Sequence, residues 1–286
     1  MSGPTLIINP YASNVNEERV RGVEERLRPA ETLLTERRGH AIELARGASG
    51  DALYVFGGDG VLNEVLNGLE RDIPLGVIPG GHTNVLARAL GLPRDPVEAA
   101  ARIGRAGRRI SLGRVNGRRF GFAAGIGVDS EAVRELDTIQ RERAGRRPGD
   151  LAYARVVATR LLRGCDPIMD VVGLGRAALA FVSNDAVFTY AGRMPLRFSP
   201  EARFELGLDL AAPRCIHLSD LARLVPRLVA GRGLKGGHGV HRLHDADRIE
   251  LRCDRPLPLQ ADGEDLGDVT EASFEAERAA VTMLTG

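Results

Sequence analysis

Short apolar runs alternate with amphipathic stretches through the first ~110 residues of the chain. Residues 5–8 (TLII), 53–56 (LYVF) and 75–78 (LGVI) are apolar runs bounded by Gly, Pro or Asn, the pattern of strands buried on both faces; residues 31–35 predict a further strand. Between them, residues 17–27, 41–46, 62–69 and 83–89 have helical spacing, and Gly91 and Pro93 stop the last of these. Strands alternating with helices predict βαβ units and a mostly parallel sheet. Beyond Ile110 the texture changes. Residues 119–124, 178–183, 193–198, 203–210 and 248–251 predict short strands separated by Gly, Pro and Asp, with helical interruptions at 151–162 and 218–228. In the first of these, Ala154, Val157 and Leu161 share one helix face. The expected class is therefore α/β plus all-β: an α/β domain over 1–110 and a β-rich domain over 111–279, with the junction near 105–112.

A length of 286 residues suits two domains, and 43% apolar with 27% charged residues is globular composition. The net charge of +1 supplies no bulk field for nucleic acid or for an anionic membrane, so any such contact must be local, and a nucleic-acid partner is not expected. Lys235 is the only lysine, which leaves one candidate for a catalytic lysine. Cys165, Cys215 and Cys253 are too scattered for a zinc or redox motif and read as reduced cytosolic thiols. The chain opens directly on a strand pattern, without a basic n-region and long apolar h-region, and no run approaches the ~20 apolar residues of a membrane span. A cytoplasmic protein is expected, and one that handled lipid would visit the bilayer without crossing it. The basic run 141–147 reads as a solvated loop before a lipid contact, and the histidines and arginines of 223–242 as surface before metal site. Residues 173–176 (GLGR) are a weak dinucleotide hint, because a strand pattern follows them.

One turn carries chemistry. A strand ending at Phe56 runs into Gly57, Gly58, Asp59 and Gly60, and then into a helix. Glycines let backbone N–H groups approach an anion, and a helix N-terminus adds donors and partial positive charge. Asp59 is electrostatically wrong for a bare phosphate loop unless it serves the chemistry or a Mg²⁺; a tight turn with Asp59 as helix cap is the structural alternative. The segment is neither a P-loop, lacking the GK[ST] ending, nor GxGxxG.

Residues 56–69 (FGGDGVLNEVLNGL) resemble the GGDGTxNEVxNGL signature of the diacylglycerol kinase catalytic-domain family, which includes bacterial lipid kinases and sphingosine kinases. Ile8, Asn9 and Pro10 resemble its first-strand NP loop, and residues 75–88 (LGVIPGGHTNVLAR) its LGxxPxGTxNxxAR loop. Residues 125–129 (GIGVD) resemble its GxGxDA element and 259–264 (LQADGE) its DGE element. The resemblance implies a Rossmann-like N-terminal domain, a β-sandwich C-terminal domain, a nucleotide cleft between them, and a last strand near 280–286 that returns to the first domain. It also implies ATP and Mg²⁺, with the γ-phosphate passing to the hydroxyl of diacylglycerol or a related lipid alcohol to give phosphatidic acid or an analogous lipid phosphate. Phosphate contacts would come from Gly57, Gly58, Gly60, Gly80, Gly81, Thr83 and Asn84, with Asn9, Thr35 and Asn63 bordering the nucleotide. Asp262 matches the base of bacterial relatives, whereas the sphingosine kinase branch assigns that role to Asp59; Asp262 is favoured, with Asp59 supporting it. Glu264 would face the nucleotide or Mg²⁺, and Asp129 the acceptor's polar head. Transient membrane association follows, and a homodimer is compatible.

The chain departs from the pattern at Val61, where relatives have Thr, at His82, where a small residue is usual, and at Asn14, where a basic residue is common. The acidic element that holds a structural metal in bacterial relatives is only partly echoed by 204–209 (FELGLD), which leaves the metal ligands unassigned. Two rival readings remain: an enzyme of the NAD kinase type, and a catalytically weakened nucleotide-binding regulator.

Overall fold

A computed structural model describes residues 3–104, 106–127, 130–132, 134, 135, 156, 159, 166–234 and 239–286. The expected 151–162 helix, the basic run 141–147, Cys165, Lys235, His238 and Asp129 lie mostly or wholly outside the described residues. The chain divides into two compact units, Met1–Leu112 with Arg278–Gly286, and Gly113–Glu277.

In the first unit, β1 (Thr5–Ile8), β2 (Glu31–Leu34), β3 (Leu53–Gly57) and β4 (Leu75–Pro79) alternate with α1 (Glu17–Leu27), α2 (His40–Gly47), α3 (Asp59–Gly68) and α4 (Val85–Ala89). The strands are parallel in the order β2, β1, β3, β4, and β4 is followed by the end of a long strand. That strand, Glu264–Leu284, pairs Met283 with Leu75 in parallel. Alternate residues Leu6, Ile8, Tyr54, Phe56 and Ile78 pack with Val23 of α1 and with α5 (Pro96–Arg102). Ile7, Val55 and Val77 are equally buried, so both sheet faces are covered, which is why these strands read as unbroken apolar runs. The sequence pattern had not predicted α5. Its signals are a Pro at the first helical position and Asp95, whose carboxylate accepts from Val97 N and Glu98 N.

Two residues of the 56–69 signature serve architecture. Gly39, which caps α2, has no side chain, and Glu64 of α3 supplies the cap instead: Oε1 accepts from Gly39 N at 2.8 Å and Oε2 from Ala41 N at 3.2 Å. A Cβ on Gly68 would lie 2.3 Å from Ile42 O, so glycine sets the α2–α3 spacing. Glu64→Ala is expected to cost about 1–3 kcal/mol by orphaning these donors, read as a lower urea midpoint with an unchanged slope.

The second unit is largely β. Its sheet follows the order β14 (Val240–Ala246), β13 (Leu208–Pro213), β10 (Ala180–Ser183), β7 (Ala123–Ile126), β15 (Arg248–Ala261) and β16 (Glu264–Leu284). β5 (Gly107–Val115) and β6 (Arg118–Phe120) form one hairpin, and β8 (Met169–Val171) and β9 (Gly175–Ala177) another. β15 pairs with β8 through Leu251–Cys253 and with β7 through Leu259–Ala261, and its register with β16 shifts in between. The bent strand thus carries both halves of the sheet around one core, which includes Phe120, Met169, Val182, Leu210, Leu251, Leu259 and Phe274.

Several strands differ from expectation. The 119–124 strand is broken at Gly121 and Phe122, which turn their N–H groups to a side chain described below. The 203–210 strand begins only at Leu208, after a turn, and the 178–183 strand at Ala180. The 193–198 strand is the short β12 (Met194–Leu196), paired with β11 (Thr189–Ala191). The 218–228 helix is a 3₁₀ turn followed by α6 (Leu221–Val229). Cys215 and Cys253 are free thiols.

Candidate active-site elements

The chain leaves β1 for β2 on one side of the first unit's sheet and leaves β3 for β4 on the other. The connections diverge outside the carboxyl ends of β1 and β3, the place where open α/β sheets form a ligand crevice. The segments lying there are those singled out by composition. Asn9, just beyond β1, donates its N–H to Phe56 O at 2.9 Å, and its Oδ1 accepts from Tyr11 N at 3.0 Å. Thr35, buried beyond β2, donates its N–H to Ile8 O at 2.9 Å.

At the end of β3, Gly58 is the extended N-cap of α3 and Asp59 is the first helical residue. Asp59 is therefore not the cap, as the structural alternative had it. Its carboxylate sits in the first turn, where the N–H groups of a ten-residue helix converge. Val61 is buried, and Asn63 is only 1% exposed, with Asn67 Nδ2 donating to its backbone O and to its Oδ1.

The second glycine loop, after β4, lies directly against the first. Gly80 N donates to Gly57 O at 2.7 Å. A Cβ on Gly80 would fall 2.9 Å from Gly57 Cα, and one on Gly81 would fall 2.6 Å from Gly58 Cα. The second loop therefore requires glycine at both positions to meet the first, whereas a Cβ on Gly58 would sit a tight 3.3 Å from Gly81 Cα and one on Gly57 would strike Val61 Cγ1. Asn84, in the left-handed region at φ 50°, closes the loop: its Oδ1 accepts from Gly81 N at 2.9 Å and its Nδ2 donates to Gly81 O at 2.7 Å. Thr83 precedes α4 and is half-buried, while His82 is exposed. Asn14 N donates to Gly80 O at 2.8 Å, and Asn14 Nδ2 donates to Gly81 O at 3.2 Å. Arg19 of α1 donates Nη1 to Asn14 O at 3.1 Å and to Asn14 Oδ1 at 3.2 Å. Where the family pattern has a basic residue at position 14, Arg19 brings a cation to Asn14. Its position one turn into a helix was the available signal.

In the second unit, Asp262 and Gly263 are the two loop residues between β15 and β16, at φ 50° and 77°, with Ala261 opposite Glu264. Asp-Gly with both φ positive is the preferred two-residue hairpin turn. Turn chemistry alone explains the pair but not its burial: Asp262 is 6% exposed. Its Oδ2 accepts from Gly121 N at 2.6 Å, and its Oδ1 accepts from Phe122 N at 3.0 Å and Ala123 N at 3.2 Å. Its own N–H donates to Ala123 O at 2.8 Å. Asn184 braces the donor segment, with Nδ2 donating to Gly121 O and N to Phe122 O, each at 2.9 Å. Glu264 is ion-paired with Arg118 at 2.8 Å. Asp209, at the end of the 204–209 acidic element, is buried with His244 Nδ1 at 2.9 Å and accepts from Asp245 N at 3.1 Å. Among the described residues no group of three or more His, Cys, Asp or Glu side chains is placed to hold a metal ion.

A doubly wound α/β unit with paired glycine loops at its topological switch point has the arrangement in which open α/β sheets offer backbone donors to a ligand. Residues 4–115 match the model of the diacylglycerol kinase catalytic domain. It is 29% identical to a diacylglycerol kinase of Bacillus subtilis over 237 residues, covering 79% of this chain and 75% of that protein. It is 43% identical to a diacylglycerol kinase of Mycobacterium tuberculosis over 99 residues, covering 32% of each. The fold is that of a crystal structure of a diacylglycerol kinase from Bacillus anthracis, with TM-score 0.72 at 22% identity, covering 100% of this chain and 97% of that one. No helix among the described residues is long and apolar enough to cross a membrane.

Proposed function

We propose that the protein is an ATP-dependent lipid kinase that transfers the γ-phosphate of ATP to the hydroxyl of diacylglycerol or a related lipid alcohol. The observation that carries this reading is the backbone-to-backbone contact of Gly57 and Gly58 with Gly80 and Gly81 at the switch point of a unit that matches the catalytic domain. Phosphoryl transfer needs positioned phosphates and charge stabilisation more than covalent chemistry from the protein. In this reading the first glycine loop and the first turn of α3 supply N–H donors for phosphate oxygens, while Gly80 and Gly81, whose N–H groups serve Gly57 O and Asn84 Oδ1, shape the wall beside them, with Thr83, Asn84, Asn9, Thr35 and Asn63 assigned around it and Arg19 as a nearby cation.

In this reading the acceptor oxygen bonds to the γ-phosphorus as the bond to the ADP oxygen breaks, and Asp262 takes the hydroxyl proton. Oδ1 already accepts two backbone donors, so Oδ2 is the oxygen proposed to receive it. Asp59 supports from the α3 N-terminus, Glu264 is held by Arg118, and Asp129 is assigned to the acceptor's polar head. Mg²⁺ would supply charge neutralisation at the transferring phosphates, held through phosphate oxygens, waters and one or two carboxylates, with Glu264 the carboxylate assigned to it; that mode needs no three-ligand cluster, and none occurs among the described residues. Peripheral membrane contact and a cytoplasmic location belong to the same proposal.

The test is to incubate the purified chain with γ-labelled ATP, Mg²⁺ and, separately, diacylglycerol, monoacylglycerol, sphingosine and NAD. Label is expected in a lipid product. Label in NAD alone, or in no product, would overturn the proposal.

A further inference from the structure

We infer that α6 and the β11–β12 hairpin form a docking surface for an anionic lipid bilayer. At 100° per residue, α6 turns Leu228 inward, where it is buried, while Ala222, Val225 and Pro226 are exposed and Val229 is half-buried. Apart from Arg223 at its border, the outward arc of this helix is apolar, the reverse of an ordinary surface helix. The hairpin adjoins it: Arg197 N donates to Leu228 O at 3.2 Å, and Leu234 N, beyond the helix, donates to Phe198 O at 3.2 Å. Met194, the first residue of β12, is 52% exposed, and Val225 on the helix is 47% exposed. On either side of the hairpin in the chain, Phe188 and Phe198 pack with Phe181 of β10, with ring centroids 4.1–5.3 Å apart.

Charge selects the occupant. Segments 189–198 and 218–234 carry Arg193, Arg197, Arg223, Arg227 and Arg232 against one acid, Asp220. Apolar side chains bordered by arginines fit the boundary between acyl chains and anionic headgroups. A second copy of the chain fits poorly, because a two-fold contact sets the same patch against itself, arginine facing arginine. The inference deepens the lipid-kinase reading, which requires access to a substrate dissolved in a bilayer.

The experiment measures co-sedimentation of the full chain, without nucleotide, with phosphatidylcholine vesicles containing or lacking about 30 mol% phosphatidylglycerol. The wild type should pellet with the anionic vesicles and be released by about 0.5 M NaCl. Val225→Asp and Met194→Asp should each weaken binding about tenfold, and Arg223→Glu about fivefold or more, with thermal melting unchanged. Failure of the wild type to pellet, or variants that pellet like it, would overturn the inference. So would a dimer seen by light scattering that the same substitutions dissociate, because it would assign the patch to a second copy. Phosphorylation of a short-chain, water-soluble diacylglycerol separates the two readings. It should be unchanged in all three variants, and its absence in the wild type would count against the kinase while the vesicle result still judges the surface.

Discussion

Asp262→Asn is expected to lower turnover by about 10²–10⁴-fold, the usual contribution of a positioned general base, while ATP affinity stays within about threefold of wild type. Asparagine is the informative replacement because it keeps the shape and tolerates the left-handed φ of 50° at this turn. The amide cannot satisfy all three donors. If its oxygen meets Phe122 N and Ala123 N, its NH₂ faces Gly121 N, donor against donor. A stability loss of about 1–3 kcal/mol is therefore expected beside the kinetic one. Turnover at saturating ATP, calorimetric ATP binding and a melting curve separate the two effects. Full turnover in Asp262→Asn, with loss in Asp59→Asn, would move the base to the first unit.

The second large effect is expected at Gly81. Alanine there brings a methyl group to 2.6 Å from Gly58 Cα and 3.0 Å from Asn84 Oδ1. Gly58 Cα is backbone, and Asn84 Oδ1 is tied to Gly81 N, so the two loops must separate. Overpacking of this kind costs about 1–3 kcal/mol. Borne by the nucleotide site, that is a rise of roughly 10–100-fold in the KM for ATP. Gly47→Ala is the control, since a Cβ there has nothing within 4 Å and should leave that KM unchanged. ATP titration of initial rates checks both.

Three strands of the first unit's sheet were legible because they are buried on both faces, and 5–8, 53–56 and 75–78 carry that burial as unbroken apolar runs. β15 and β16 were not: Pro256 and Pro258, register shifts and half-exposed charged positions break the alternation, so 14- and 21-residue strands looked like fragments. The glycine loops announced an anion site through composition, but their mutual contact depends on a spacing no local pattern records. For Asp262, the turn could be read from Asp-Gly. Its burial could not, because the groups that hold it are backbone N–H donors 139–141 residues earlier in the chain, and every residue but proline has one. Glu64 and Gly68 teach the opposite lesson, since signature residues that look functional hold α2 against α3.

The pairing of Met283 with Leu75 also has a consequence in time. The ribosome makes the residues that cover the outer edge of β4 roughly two hundred residues after β4 itself, about 10–40 s at ordinary rates of synthesis. Throughout that interval the nascent chain carries an apolar parallel strand with one edge open, the kind of surface that recruits wrong partners. Closing it is a long-range step late in folding, so this fold is most exposed to aggregation while it is being made.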